Sequence, residues 1–239
     1  MTFYLIGLGL NEKSINLETL EACKKSKKIY LDNYTIDFPY KKQAIEKAIK
    51  KKIIVADRAL IESESIVGES KKSNIVLLVY GSPLAATTHI SLILKCKKEK
   101  TKYKIIQNSS IFDALAETGL QMYKFGKTTS LPTWKENYKP ASFMQFIIDN
   151  QSIGAHSILL VDIGLKFSQA LEQLKQAAER YFTKIENIVV CENMGTKNQR
   201  IYYNTTDKLK KLKVKSPYCI IIPSKLHHIE EEALRELTK

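Results

Sequence analysis

Residues 74–80 form an apolar run that stops at Gly81-Ser82-Pro83, then passes through Leu84-Ala85-Ala86-Thr87-Thr88-His89 into a helical pattern. A strand buried on both faces reads as a continuous apolar run, and Gly followed by Pro ends it. The bend therefore sits at the carboxyl end of a central strand, where open α/β sheets bind their ligands. Its small residues are expected to leave backbone N–H groups free for a ligand.

The bend belongs to a series. Residues 3–9 read as a strand, 17–27 as a helix, 29–32 as a short strand, and 40–51 as a helix with Ala44, Ile45, Ala48 and Ile49 on one stripe. Strand 53–56, short helix 62–69, strand 75–80, helix 89–97 and strand 103–107 continue the alternation. A helix over 111–119 follows, with the hydroxyls of Ser109-Ser110 placed to accept from its first turn. Such alternation predicts an α/β fold with a largely parallel sheet.

Near residue 125 the texture changes. Residues 128–140 hold Pro132, Pro140 and the only tryptophan, Trp134, and read as a strand followed by a long loop. Helix 143–150, strand 157–163, helix 168–182, strands 187–192, 200–203 and 218–222, and helix 229–237 complete the pattern. Strands outnumber helices here, so this sheet is expected to be mixed. The expectation is two α/β domains, 1–124 and 125–239, with a small-ligand cleft between them.

The 239 residues are 44% hydrophobic and 26% charged, which excludes wholesale disorder. No apolar run approaches the roughly 20 residues that span a bilayer, and the start enters structure without a basic leader. These observations predict a cytoplasmic protein with no membrane partner. The formal charge of +13 comes mostly from lysines. They read as spread among glutamates along helices such as 41–52 and 208–215, which suggests solvated helical faces rather than a nucleic-acid surface.

Chemical motifs are sparse. Gly7-Leu8-Gly9 lacks the third glycine of G-x-G-x-x-G, position 12 being Glu12. Gly126-Lys127-Thr128 lacks the upstream glycine of a phosphate-binding loop, and no G-x-S-x-G elbow occurs. Cys23, Cys96, Cys191 and Cys219 lie far apart and read as reduced core thiols, and His89, His156, His227 and His228 lack partners at metal-ligand spacing. No metal is expected; the histidines read as surface or capping residues. Asp162, after Leu160-Val161, reads either as a site carboxylate or as the polar residue that ends a strand.

Taken in order, Tyr4-Leu5-Ile6-Gly7-Leu8-Gly9-Leu10, the bend from Gly81 to His89, Ser109-Ser110-Ile111-Phe112, Gly119-Leu120-Gln121-Met122-Tyr123-Lys124-Phe125-Gly126-Lys127, Leu160-Val161-Asp162-Ile163 and Pro223-Ser224-Lys225-Leu226-His227 resemble the diphthine synthases. These form a branch of the tetrapyrrole-methylase-like S-adenosylmethionine methyltransferases. The resemblance runs from Thr2 to about Leu237. It implies two α/β domains, a homodimer, and S-adenosyl-L-methionine held by Leu10, Ser82, Ala85, Ser110, Ile111, Val161, Met194 and Tyr218. It also implies repeated methylation of the amino group of a modified histidine on translation elongation factor 2, with no catalytic base nominated. RNA methylation within the same fold group and non-catalytic cofactor binding are the alternatives. Two positions depart from the family: Gly81-Ser82-Pro83 stands where relatives read G-D-P, and Tyr218 stands where they often carry His. A hydroxyl in place of the carboxylate predicts weaker cofactor binding.

Overall fold

In the computed structural model, which describes residues 1–237, five strands build the first sheet: β1 (Thr2–Gly7), β2 (Lys28–Asp32), β3 (Ile54–Ala56), β4 (Ile75–Val79) and β5 (Lys102–Ile106). They are all parallel, in the order β3-β2-β4-β1-β5. Every residue of β4 is buried. Ile75, Leu77 and Val79 join Phe3 and Leu5 of β1 in one core, whereas Val76 and Leu78 join Ile6 and Leu8 in another. Alternation across a doubly covered sheet gives the unbroken apolar run its two cores.

Local chemistry sets the helix boundaries. Asn16 Oδ1 accepts from Thr19 N–H at 2.8 Å and opens Leu17–Lys25. The helix expected over 62–69 is two short helices, Arg58–Glu62 and Ser65–Glu69, because Asp57 starts the first early and Glu64, at φ 56°, breaks the run. The helix expected over 111–119 is one α turn, Ile111–Ala114, tightening into a 3₁₀ turn, Leu115–Thr118, that ends at Gly119. Its cap also runs the other way. The Asp113 carboxylate accepts from Ser110 N–H at 2.6 Å and from the Ser110 hydroxyl at 3.0 Å, the return half of a capping box.

The chain divides into two units, Met1–Asp113 and Ala114–Lys239, of which 238 and 239 lie outside the described residues. Residues 114–124, read from sequence as the end of the first domain, are bound within the second unit: Gln121 N–H donates to Glu230 Oε1 at 2.8 Å.

The second sheet comprises β6 (Thr129–Leu131), β7 (Ser157–Val161), β8 (Asn187–Glu192), β9 (Arg200–Thr205) and β10 (Tyr218–Ile222) in the order β6-β7-β10-β8-β9. Only β6 and β7 pair in parallel, so the sheet is mixed as expected. Leu159, Ile188, Val190, Ile220 and Ile222 share one core with helices Phe143–Ser152 and Phe167–Arg180. The long loop after β6 is pinned by Trp134, whose indole donates to Pro140 O at 2.9 Å and whose backbone N–H donates to Gln173 Oε1 at 2.9 Å. Of the helical face read over 208–215, only the start is helical, in the short helix Thr206–Leu209.

Candidate functional site

In the first unit, the segments after β1, β4 and β5 meet at the carboxyl edge of the sheet. Gly9 and Gly81 pair with each other: Gly9 N–H donates to Gly81 O at 3.1 Å and Gly81 N–H to Gly9 O at 3.0 Å. Both have φ near +70°, a region that disfavours any side chain. Gly7 needs to be glycine for a different reason, since a Cβ there would lie 2.5 Å from Gly81 O. The N–H of Gly81, expected to be free for a ligand, is therefore consumed by this pairing. Gly81 packs against the other segments, and an added Cβ would lie in ordinary contact, 3.7 Å from Ser109 O, 3.8 Å from Ser110 Cα and 4.0 Å from Leu10 Cδ2.

Leu10 and Ser110 are thus brought together at Gly81, with Ile111 next in the chain. Ser82 and Ala85 occupy the loop above. The Ser82 hydroxyl donates to Gln107 Oε1 at 2.9 Å, and Ala85 N–H donates to Ser82 O at 3.3 Å. Pro83 O accepts from Thr87 Oγ1 at 2.9 Å and lies 3.3 Å from His89 Nδ1. His89 is buried rather than on the surface, and its Nε2 is 3.1 Å from the buried Asp32 Oδ2. Sequence reasoning missed Asn108. Its amide donates to Gly7 O at 3.2 Å and Ser14 O at 2.9 Å, while its own oxygen accepts from Ser109 N–H. The available signal was a polar Gln-Asn pair directly after β5.

In the second unit Val161, Met194 and Tyr218 share one end of the sheet. Val161 ends β7 and Tyr218 begins β10 opposite Glu192, the last residue of β8; Asn193 N–H then donates to Pro217 O at 2.9 Å. Met194 is buried, as is Tyr218, whose hydroxyl donates to Leu165 O at 2.9 Å and is pushed well above its ordinary pKa by burial. Asp162 ends the strand. Its carboxylate accepts from Thr133 N–H and Ile163 N–H, both at 3.1 Å, so it closes a turn. A cavity of about 410 Å³ walled by Thr133, Trp134, Ser168, Glu172 and Lys210 contains none of the eight candidate cofactor residues.

A second polar centre surrounds Glu230. It accepts from Gln121 N–H at 2.8 Å, His227 N–H at 2.8 Å, Lys124 Nζ and His156 Nε2 at 3.0 Å. His156 is fully buried with a carboxylate partner, contrary to the surface or capping role expected of it. His227 does cap a helix, accepting from Ile229 N–H. Among the described residues no group of three or more His, Cys, Asp or Glu is arranged to hold a metal, and no helix is long and apolar enough to cross a membrane.

A glycine-built bend at the carboxyl ends of β1 and β4, preceding a second unit with a mixed sheet, defines a class. Residues 2–210 match the tetrapyrrole (corrin/porphyrin) methylases, and the chain belongs to that family. Within it the chain belongs with the diphthine synthases. It is 35% identical to the diphthine methyl ester synthase of Schizosaccharomyces pombe, over 98% of this chain and 93% of that protein. It is 36% identical to the diphthine synthase of Methanococcus maripaludis, over 98% and 97%. A crystal structure of diphthine synthase superposes with a TM-score of 0.88 at 27% identity, covering 100% of this chain and 96% of the other.

Proposed function

We propose that the chain is an S-adenosylmethionine-dependent methyltransferase of diphthamide biosynthesis, acting on the modified histidine of translation elongation factor 2. The observation that carries this reading is the Gly9–Gly81 pairing, which packs the bend against Leu10, Ser109 and Ser110 at the carboxyl edge of a parallel sheet. The groups gathered there suit the cofactor: a leucine methyl for an apolar ring, with a backbone carbonyl and nearby serine hydroxyls for polar groups. In this reading S-adenosylmethionine is held by the residues that the family resemblance implies: Leu10, Ser82, Ala85, Ser110, Ile111, Val161, Met194 and Tyr218. When bound, that cofactor supplies a methyl group already activated on a sulfonium.

The protein's own work is geometric. The attacking amine must be unprotonated and aligned at about 3 Å, with water excluded. Burial disfavours the cationic amine, so desolvation by residues such as Leu10 and Ile111 supplies the free base without a dedicated one. The small side chains of Ala85, Ala86, Thr87 and Thr88 leave room for an amine that grows with each methyl. The enzyme works in the cytoplasm as a homodimer.

Labelled S-adenosylmethionine incubated with elongation factor 2 carrying the unmethylated precursor tests this reading. Label on the factor supports it; none on a correctly modified factor overturns it. The relatives' names distinguish two products, one a methyl ester. Alkali-stable label marks methyls on the amine, and alkali-labile label marks an ester.

A further inference from the structure

The connection between β9 and β10 reads Asp207-Lys208-Leu209-Lys210-Lys211-Leu212-Lys213-Val214-Lys215. Its apolar residues are anchors: Leu209 is buried, and Leu212 and Val214 pack on the core of the second unit. All five lysines are exposed. Leu209 is buried and Leu212 and Val214 are half-buried, so the apolar side chains of the segment face the core while its row of lysines faces solvent.

Some lysines of the first unit lie beside carboxylates, as in Lys28–Glu69 at 2.7 Å, Lys71–Glu99 at 2.8 Å and Lys42–Glu46 at 3.1 Å. In the row only Lys210 has such a neighbour, Glu172 at 3.8 Å; Lys208, Lys211, Lys213 and Lys215 form no ion pair among the described residues. The adjacent Glu192 is buried and already engaged, accepting from Lys215 N–H at 3.1 Å and Tyr202 hydroxyl at 3.1 Å. Uncompensated like charges in one segment repel each other in the free protein and are relieved when a partner brings carboxylates.

Position gives the row its use. Lys215 is held against Glu192 and Pro217 against Asn193, so the row ends at the same sheet end as Val161, Met194 and Tyr218. We propose that it is the docking surface for the protein substrate, and that it recognises a carboxylate-rich face of that protein. The inference rests on the reading of the chain as a protein methyltransferase. A nucleic acid is a poorer fit: residues 206–217 contain no arginine and no aromatic side chain to stack a base or fork a phosphate.

The test replaces Lys208, Lys211, Lys213 and Lys215 together, once by serine and once by arginine, in the full chain. With elongation factor 2 as substrate at low salt, the serine variant is expected to lose on the order of tenfold in kcat/KM through KM. Its kcat and cofactor affinity stay unchanged, its salt dependence flattens, and the arginine variant stays near wild type. Equal kcat/KM in serine variant and wild type overturns the proposal, as does a loss confined to kcat. So does polyuridylate binding that needs the four lysines while the KM for the factor does not. Direct binding of the factor, measured without cofactor, keeps the two readings separable. Binding that depends on the lysines, with no methyl transfer by wild type, retains the docking surface and removes the enzymatic reading.

Discussion

The Ser82 hydroxyl donates to Gln107 Oε1 at 2.9 Å, tying the loop after β4 to the end of β5 across β1. The family resemblance implies an aspartate at this position, a negative charge where this chain has a neutral hydroxyl already spent on an amide. Ser82→Asp is expected to tighten S-adenosylmethionine binding about tenfold, or ~1.4 kcal/mol, through attraction to the cofactor's positive charges. Ser82→Ala removes one partly exposed hydrogen bond and costs about 1 kcal/mol or less. Isothermal titration calorimetry on both variants checks this; equal affinity in Ser82→Asp and wild type counts against a charge role at the position.

Gly7→Ala attacks the same site through sterics. The new Cβ would meet Gly81 O at 2.5 Å and Pro83 Cδ at 2.9 Å, and neither can rotate away. The expected cost is about 1–3 kcal/mol, with cofactor binding lost because the Gly9–Gly81 pairing must shift. Gly154→Ala is the control: its φ is +73° but nothing lies within 4 Å of the added carbon. It should cost roughly 1–2 kcal/mol of backbone strain and leave cofactor affinity alone. Calorimetric melting with a binding titration separates the two, and a Gly7→Ala protein that binds normally would remove the bend from the site.

Strand positions were legible because burial on two faces leaves an unbroken apolar run, as in β4, and the mixed second sheet followed from its excess of strands. Breaks within helices were not. Glu64 adopts a left-handed conformation that no periodicity signals, and Thr206–Leu209 is too short to show a stripe. At the site, the glycines were legible from their spacing, but their partners were not. Asn108 touches Gly7 and Ser14 across a sequence distance of about a hundred residues, and His89 finds Asp32 only once β2 and β4 are neighbours. Pairings made by sheet order leave no local trace. The Gly81 N–H, expected to be free, is taken for the same reason, since Gly9 reaches Gly81 through the adjacency of β1 and β4.

The four cysteines are buried and free. Burial pushes the thiols of Cys23 and Cys96 up to about 11. Cys191 is raised well above its ordinary value by its hydrogen bond with Cys219, its cross-strand partner, and by burial. Thiolate is the reactive form, so at pH 8 Ellman's reagent should react with the native protein only at the rate of local opening. In guanidinium all four should react at once. A fast-reacting thiol in the native protein would contradict the burial.

Glu230 makes the strongest pH prediction. Burial alone would raise its pKa, but donation from His227 N–H, Lys124, Gln121 N–H and His156 outweighs this and holds the carboxyl down to about 2. A carboxyl depressed in the fold contributes stability that is complete above its ordinary value near 4.5 and is lost as pH falls toward 2. The shift corresponds to on the order of 3 kcal/mol. His156 acts in the same direction. Burial holds its pKa below 6.5 against the opposing pull of Glu230, so below that pH the unfolded chain takes up a proton that the fold resists. Its tautomer follows from geometry: Nδ1 accepts from Ser224 N–H at 2.9 Å, which leaves the proton on Nε2 to face Glu230. Glu230→Gln should therefore destabilise the protein most at neutral pH, with the gap to wild type shrinking between about pH 4.5 and 2. Denaturant midpoints measured across that range give the gap directly. A gap independent of pH would mean that the carboxylate contributes packing alone.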